Sequence, residues 1–145
     1  MSGQKLIAVI CLLAFFSTTW ANPTIESAEK ETSAGNPKRA YVILAAKQKH
    51  MAGNPEFDYL LGVAALDIGK TNEAIKAFQR VLAVNPMQAG ASLDLARAYC
   101  KIGKLDEAEG IFRELRERDP PEKASIEIER HLKKIEARRK SNPLK

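Results

Sequence analysis

An all-α fold, a short α-solenoid of helix–turn–helix units with about six helices including a C-terminal capping helix, is what this 145-residue chain predicts. Three observations carry that reading. First, residues 55–86 and 89–120 align at an offset of 34, with nine of 32 positions identical: Leu61/Leu95, Ala64/Ala98, Ile68/Ile102, Gly69/Gly103, Lys70/Lys104, Glu73/Glu107, Ala74/Ala108, Phe78/Phe112 and Pro86/Pro120. A repeat of that length marks stacked supersecondary units, each too small to bury its apolar face alone. Second, Leu61, Ala64, Ala65 and Ile68 recur at helical spacing, as do Leu95, Ala98, Tyr99 and Ile102. Third, the punctuation repeats with the units: Gly69 and Gly103 suit left-handed helix ends, and Pro86 and Pro120 close the second helices. Hydrophobic residues make up 45% and aromatics 6% of the chain, enough for a core built largely on alanine and leucine.

The elements follow in order. Residues 1–21 have the layout of a secretory signal peptide: Lys5, then eleven apolar residues from Leu6 to Phe16, then a polar stretch ending in Ala21. The alternative, an uncleaved anchor, needs a run of roughly 20 apolar residues. Apolar sequence continues past Cys11, so a lipid-modified cysteine there is not expected, and Cys100 is the one thiol of the mature chain. Residues 22–36 are polar without periodicity and read as a flexible leader. Residues 37–53 read as a half-repeat helix, because Ala74 and Phe78 shifted back by one period land on Ala40 and Leu44. Two full repeats follow, at 55–88 and 89–121. Asn72 and Asp106 are placed to cap their second helices, and Asp106 with Glu109 has capping-box spacing. Residues 122–140 read as a capping helix with Ile128, Leu132 and Ile135 on one face, and 141–145 as a tail.

With these spacings in view, the chain resembles the tetratricopeptide repeat family. Gly62, Ala96, Ala74 and Ala108 stand where that family's paired helices cross, and Phe78 and Phe112 where it fills the gap between repeats. Ala52–Phe112, together with Pro120-Pro121 and the segment Ile126–Ala137, is similar to one branch. That branch is the N-terminal periplasmic repeat domain of surface lipoprotein assembly modifier-type outer-membrane proteins. In them a β-barrel that helps deliver lipoproteins to the cell surface follows the repeats. This chain has no alternating ten-residue strands, so a barrel-dependent role is not expected of it. The resemblance implies an exported, periplasmic, non-enzymatic interaction module linked to cell-envelope or outer-membrane assembly. The alternative is a self-associating subunit, or the partner of a separately encoded barrel.

The chemistry-bearing residues agree with a binding role. His50 and His131 lie in different helices on polar faces and read as solvated, and there is no phosphate loop or zinc motif. No catalytic residue, metal or cofactor is expected. In the repeat family the first helix of each pair lines a concave groove. The matching positions are Glu56, Tyr59, Val63, Leu66 and Asp67, then Gly90, Leu93, Arg97, Cys100 and Lys101. Tyr59, Val63, Leu66 and Leu93 would form an apolar strip ending at Arg97 and Lys101, either open to a protein or peptide partner or covered by a flanking helix. Tyr59 and Val63 do not match the Lys and Asn pattern by which some members hold a C-terminal carboxylate.

Charge is uneven along the chain. Residues 22–110 carry eleven basic and eleven acidic side chains, whereas Arg130–Lys145 has seven basic and one acidic. Lys133, Lys134, Arg138, Arg139 and Lys140 form a basic tail. It either complements the helix macrodipole or meets an anionic membrane or acidic partner. A net charge of +5, with no aromatics among the tail's basic residues, argues against nucleic acid.

Overall fold

Three glycines one period apart, Gly35, Gly69 and Gly103, hold left-handed backbone at φ of 74°, 83° and 81°. Each closes a helix in the same way. The next residue's N–H reaches back to the turn before: Asn36 to the Glu31 carbonyl at 2.9 Å, Lys70 to Ala65 at 2.8 Å and Lys104 to Tyr99 at 3.0 Å. The computed structural model describes residues 22–141. Among them every regular element is a helix: α1 (Pro23–Ser33), α2 (Pro37–Ala45), α3 (Gln48–Met51), α4 (Pro55–Asp67), α5 (Thr71–Val84), α6 (Ala89–Lys101), α7 (Leu105–Glu117) and α8 (Glu122–Ser141). The signal-like segment 1–21 and residues 142–145 of the tail lie outside the described residues.

The solenoid is longer at its start than the sequence reading allows. The expected flexible leader is α1, with Asn22 accepting from the Thr24 N–H and Pro23 in the first turn. Ile25 and Ala28 are buried against Ala40, Leu44, Phe57 and Leu61. The expected half-repeat is therefore a whole one, α1 pairing with α2, and the short α3 continues the return. Counting α3, the described residues hold eight helices rather than about six.

The other helix starts differ in one respect. Asn54 caps α4 by accepting from the Phe57 N–H at 3.0 Å, and the Gln88 side chain accepts from the Ala91 N–H to cap α6. Asn72 and Asp106 cap nothing. The turns after Gly69 and Gly103 are so tight that α5 and α7 begin at once behind Lys70 and Lys104, leaving Asn72 and Asp106 inside the first turn. Glu109 reaches Arg113 and Arg139 instead of closing a capping box.

Packing follows side-chain size. Gly62 lies against Phe78, where a Cβ would sit 2.5 Å from the ring, so the close crossing of α4 and α5 requires glycine. Ala96 does the same work against Phe112 in the α6–α7 pair. Asp58, fully buried on α4, receives Arg80 Nε at 2.9 Å and the Gly53 N–H at 2.7 Å, tying α5 and the preceding loop to α4.

α8 continues the period rather than ending it. One repeat beyond Leu61 and Leu95 stands Glu129, and beyond Gly62 and Ala96 stands Arg130. Among the described residues no second helix closes on α8, and the positions that earlier units bury carry charge in this one. Its other face is apolar: Ile128 and Ile135 are buried, and Leu132 half-buried, against Ala96, Ala108, Phe112 and Leu115. α8 thus stands in the place of a unit's first helix, with a solvated outer face.

Candidate functional site: the face formed by α4, α6 and α8

The first helices of successive units lie side by side, and a polar chain crosses three of them. The Tyr59 hydroxyl on α4 donates to Asp94 Oδ2 on α6 at 3.3 Å, Arg97 Nη1 donates to Asp94 Oδ1 at 2.7 Å, and Arg97 Nε lies 3.8 Å from Glu127 on α8. Burial lifts the Asp94 carboxyl above its usual range, against the pull of Arg97 and of the Tyr59 hydroxyl. Burial, then the Asp94 charge, raises the Tyr59 hydroxyl. The chain joins α4 to α6 through a hydrogen bond and α6 to α8 through a longer ion pair.

The six residues expected to form one strip divide. Leu66 is 4% exposed and belongs to the core with Ala65, Phe78 and Leu95, so it offers no surface. Val63 and Tyr59 are half-buried against the same cluster. Leu93 is half-buried in the cluster that α8 completes, so α8 does cover that end of the strip. Arg97 and Lys101 remain exposed. Lys101 Nζ donates to the Leu66 carbonyl at 3.2 Å, bridging the ends of α4 and α6. The face is therefore polar and basic on its α6–α8 side, with its apolar residues mostly packed away.

Between α6 and α8 runs a groove of about 310 Å³. Arg97, Cys100 and Lys101 line it from α6, and Glu127, Arg130, His131, Lys134, Ile135 and Arg138 from α8. Cys100 is half-buried, and burial pushes its thiol up, away from thiolate reactivity. Arg138 Nη1 donates to the Cys100 carbonyl at 3.1 Å, capping the end of α6 with a cation.

His131 is not the solvated histidine that its polar neighbours suggest. Its ring stacks on Phe112 with centroids 5.0 Å apart and planes 10° apart. Burial holds its pKa below the ordinary histidine value of 6.5, while Glu127 pulls the other way. His50, by contrast, is exposed on α3.

The basic tail also divides. Arg139 pairs with Asp106 and Glu109 of α7, and Lys140 pairs with Glu136 at 2.6 Å. Arg130, Lys133 and Lys134 make no ion pair among the described residues, and all three are exposed. Among the described residues no cluster of His, Cys, Asp or Glu is arranged to hold a metal ion, and no helix is long and apolar enough to cross a membrane.

The family profile described as tetratricopeptide repeat matches residues 39–123. No curated protein sequence matches the chain. Solved structures do. The type III secretion translocator chaperone SycD of Yersinia enterocolitica superposes with a TM-score of 0.73 at 18% identity, over 90% of this chain and 93% of that one. The MamA protein gives 0.64 at 20%, over 84% and 76%. The second repeat domain of human RPAP3, solved with the HSP70 peptide SGPTIEEVD, gives 0.66 at 21%, over 78% and 92%. At these identities the likeness is one of fold.

Proposed function

The chain belongs to the tetratricopeptide repeat family, and from that premise we propose that it is an exported, non-enzymatic interaction module that holds part of a protein partner on the face formed by α4, α6 and α8. The observation that carries this reading is the Tyr59–Asp94–Arg97–Glu127 chain: it presets the spacing of three parallel helices beside an open groove. A preorganised surface loses less entropy when a partner docks. Structural neighbours solved with peptides, SycD with a segment of the translocator YopD and RPAP3 with HSP70 and HSP90 peptides, support a peptide or protein partner. The signal-like residues 1–21 and the resemblance to the periplasmic domain of surface lipoprotein assembly modifier-type proteins support a periplasmic place and a role in cell-envelope assembly.

A photo-crosslinking residue at position 59 is expected to capture a defined envelope partner that the same residue at the exposed position 42 does not. Equal capture from both positions would contradict the reading. N-terminal sequencing of the exported protein should begin at Asn22, and an intact Met1 would favour an anchor.

A second reading, self-association, is favoured by Ile126, which is 63% exposed beside an open hollow along the outer side of α8. Sedimentation across a concentration series separates the two. A concentration-independent monomer counts against self-association.

A further inference from the structure

α8 carries opposite charge patterns on its two sides. Toward α7, charges are mixed and largely paired: Arg116 with Glu129, Arg139 with Asp106 and Glu109, and Lys140 with Glu136. Toward α6, Arg130, Lys134 and Arg138 recur every fourth residue, facing Arg97 and Lys101 with the same spacing on α6. Like charges four apart weaken a helix. Three such pairs converge on one groove, whose acidic groups, Glu127 and the adjoining Asp94, are both engaged by Arg97. Lys101 and Arg138 hold only neutral carbonyls, and Arg130 and Lys134 hold no acid. Packing against Phe112 falls to the His131 ring and the apolar residues of α8, not to Arg130 or Lys134.

We propose that the groove between α6 and α8 binds an extended acidic segment of a protein partner, its carboxylates pairing with Lys101, Arg130, Lys134 and Arg138. Spacing supports an extended chain. Side chains four apart on a helix stand about 5–6 Å from each other, and alternate residues of an extended peptide about 7 Å. Alternate acidic residues therefore miss the α8 spacing by only about 1–2 Å per step, a gap that long, flexible Lys and Arg side chains can span. Low-dielectric walls from Ile135 and the His131 ring strengthen the attraction. The inference rests on the interaction-module reading and names the chemistry of its partner.

The test uses the chain from Asn22 to Lys145 and a fluorescein-labelled decapeptide of alternating Glu and Ser, amidated at its C-terminus, read by fluorescence anisotropy. Binding is expected to weaken with added salt and to vanish for the Gln–Ser decapeptide. The double variant Arg130→Glu with Lys134→Glu should lose about tenfold in affinity or more, since charge reversal opposes every pairing. Lys133→Glu, outside the groove on the same helix, should stay within about twofold, because a screened rim charge contributes little.

Equal binding of the Gln–Ser peptide, or full affinity in the double variant, would overturn the proposal. So would a chain that ignores the decapeptide and sediments with phosphatidylglycerol vesicles. If the decapeptide is ignored while crosslinks from position 59 persist, the acidic-segment proposal falls and the interaction-module reading stands.

Discussion

Phe78 and Phe112 occupy the same place in two consecutive units, and each ring is finished differently. In the 55–86 unit Phe78 presses on Gly62 and meets Tyr59, a residue of its own unit, with centroids 6.1 Å apart. In the 89–120 unit Phe112 meets Ala96 and is covered from outside, by His131 of α8. The contrast extends to charge. Buried Asp58 pairs with half-buried Arg80 in the first of these units, whereas one period later the positions hold Ser92 and Glu114, and Glu114 pairs locally with Arg118. The framework that makes a repeat is shared, and the residues between framework positions decide which ring finishes each phenylalanine. Both units lean on the helix that follows: Phe78 shares its core with Ala91, Leu95 and Ala98, and Phe112 shares its own with Ile128 and Ile135. The 55–86 unit has a mostly packed face, whereas the 89–120 unit borrows α8 and gains a basic groove with it.

Substitutions at paired positions sharpen this comparison. The largest difference is expected at Asp58→Ala, which strands Arg80 and the Gly53 N–H and should cost about 3 kcal/mol in urea denaturation. Its counterpart Ser92→Ala, which gives up only a long bond to the Gln88 carbonyl, should stay within about 1 kcal/mol. Equal losses would erase the distinction between the units.

Next comes Gly62→Ala. The added Cβ meets a ring with no exposed edge and should cost about 1–3 kcal/mol. The reverse change at the matching site, Ala96→Gly, should cost about 1 kcal/mol through backbone entropy.

Between pH 7.5 and 5.5 acidification should act where α8 meets the 89–120 unit, through His131. The unfolded chain protonates its histidines near 6.5, while burial keeps folded His131 neutral to lower pH. The stability tied to neutral His131 is therefore complete above 6.5 and is lost as pH falls through its folded value. Urea midpoints at pH 7.5 and 5.5 should differ in the parent chain. His131→Phe, which keeps a ring on Phe112, should remove most of that difference. The smallest effect is expected from Arg139→Gln, whose exposed guanidinium pairs with exposed Asp106 and half-buried Glu109 of α7, so its urea midpoint should stay close to that of the parent chain.

The period, the glycine turns and the two phenylalanines were readable because identical residues recur 34 apart where backbone or volume allows few substitutes. The first unit was concealed although its signal is present: Ala28 stands one period before Gly62, and Gly35 one period before Gly69. Only Ile25 and Ala28 of α1 are buried, so an end helix with one packed face reads as polar chain. The caps at Asn72 and Asp106 were misplaced because propensity favours them wherever they stand, and the tight Gly-Lys turn starts each helix two residues earlier. His131 reads as solvated from its charged neighbours. Its stacking depends on the angle at which α8 returns, a property of packing that no local pattern encodes. The groove escaped for the same reason: the row Arg130, Lys134, Arg138 is visible in the sequence, but that it faces Arg97 and Lys101 is tertiary.

The most direct measurement is a backbone and histidine-ring NMR titration of the chain with the Glu–Ser decapeptide. Shifts concentrated at Arg97, Lys101, Arg130, Lys134 and Arg138 and at the His131 ring, with α1 and α2 silent, are the expected result. Shifts spread along Tyr59 and Val63 with the α8 row unmoved, or no shifts at all, would contradict a basic groove built from a borrowed helix.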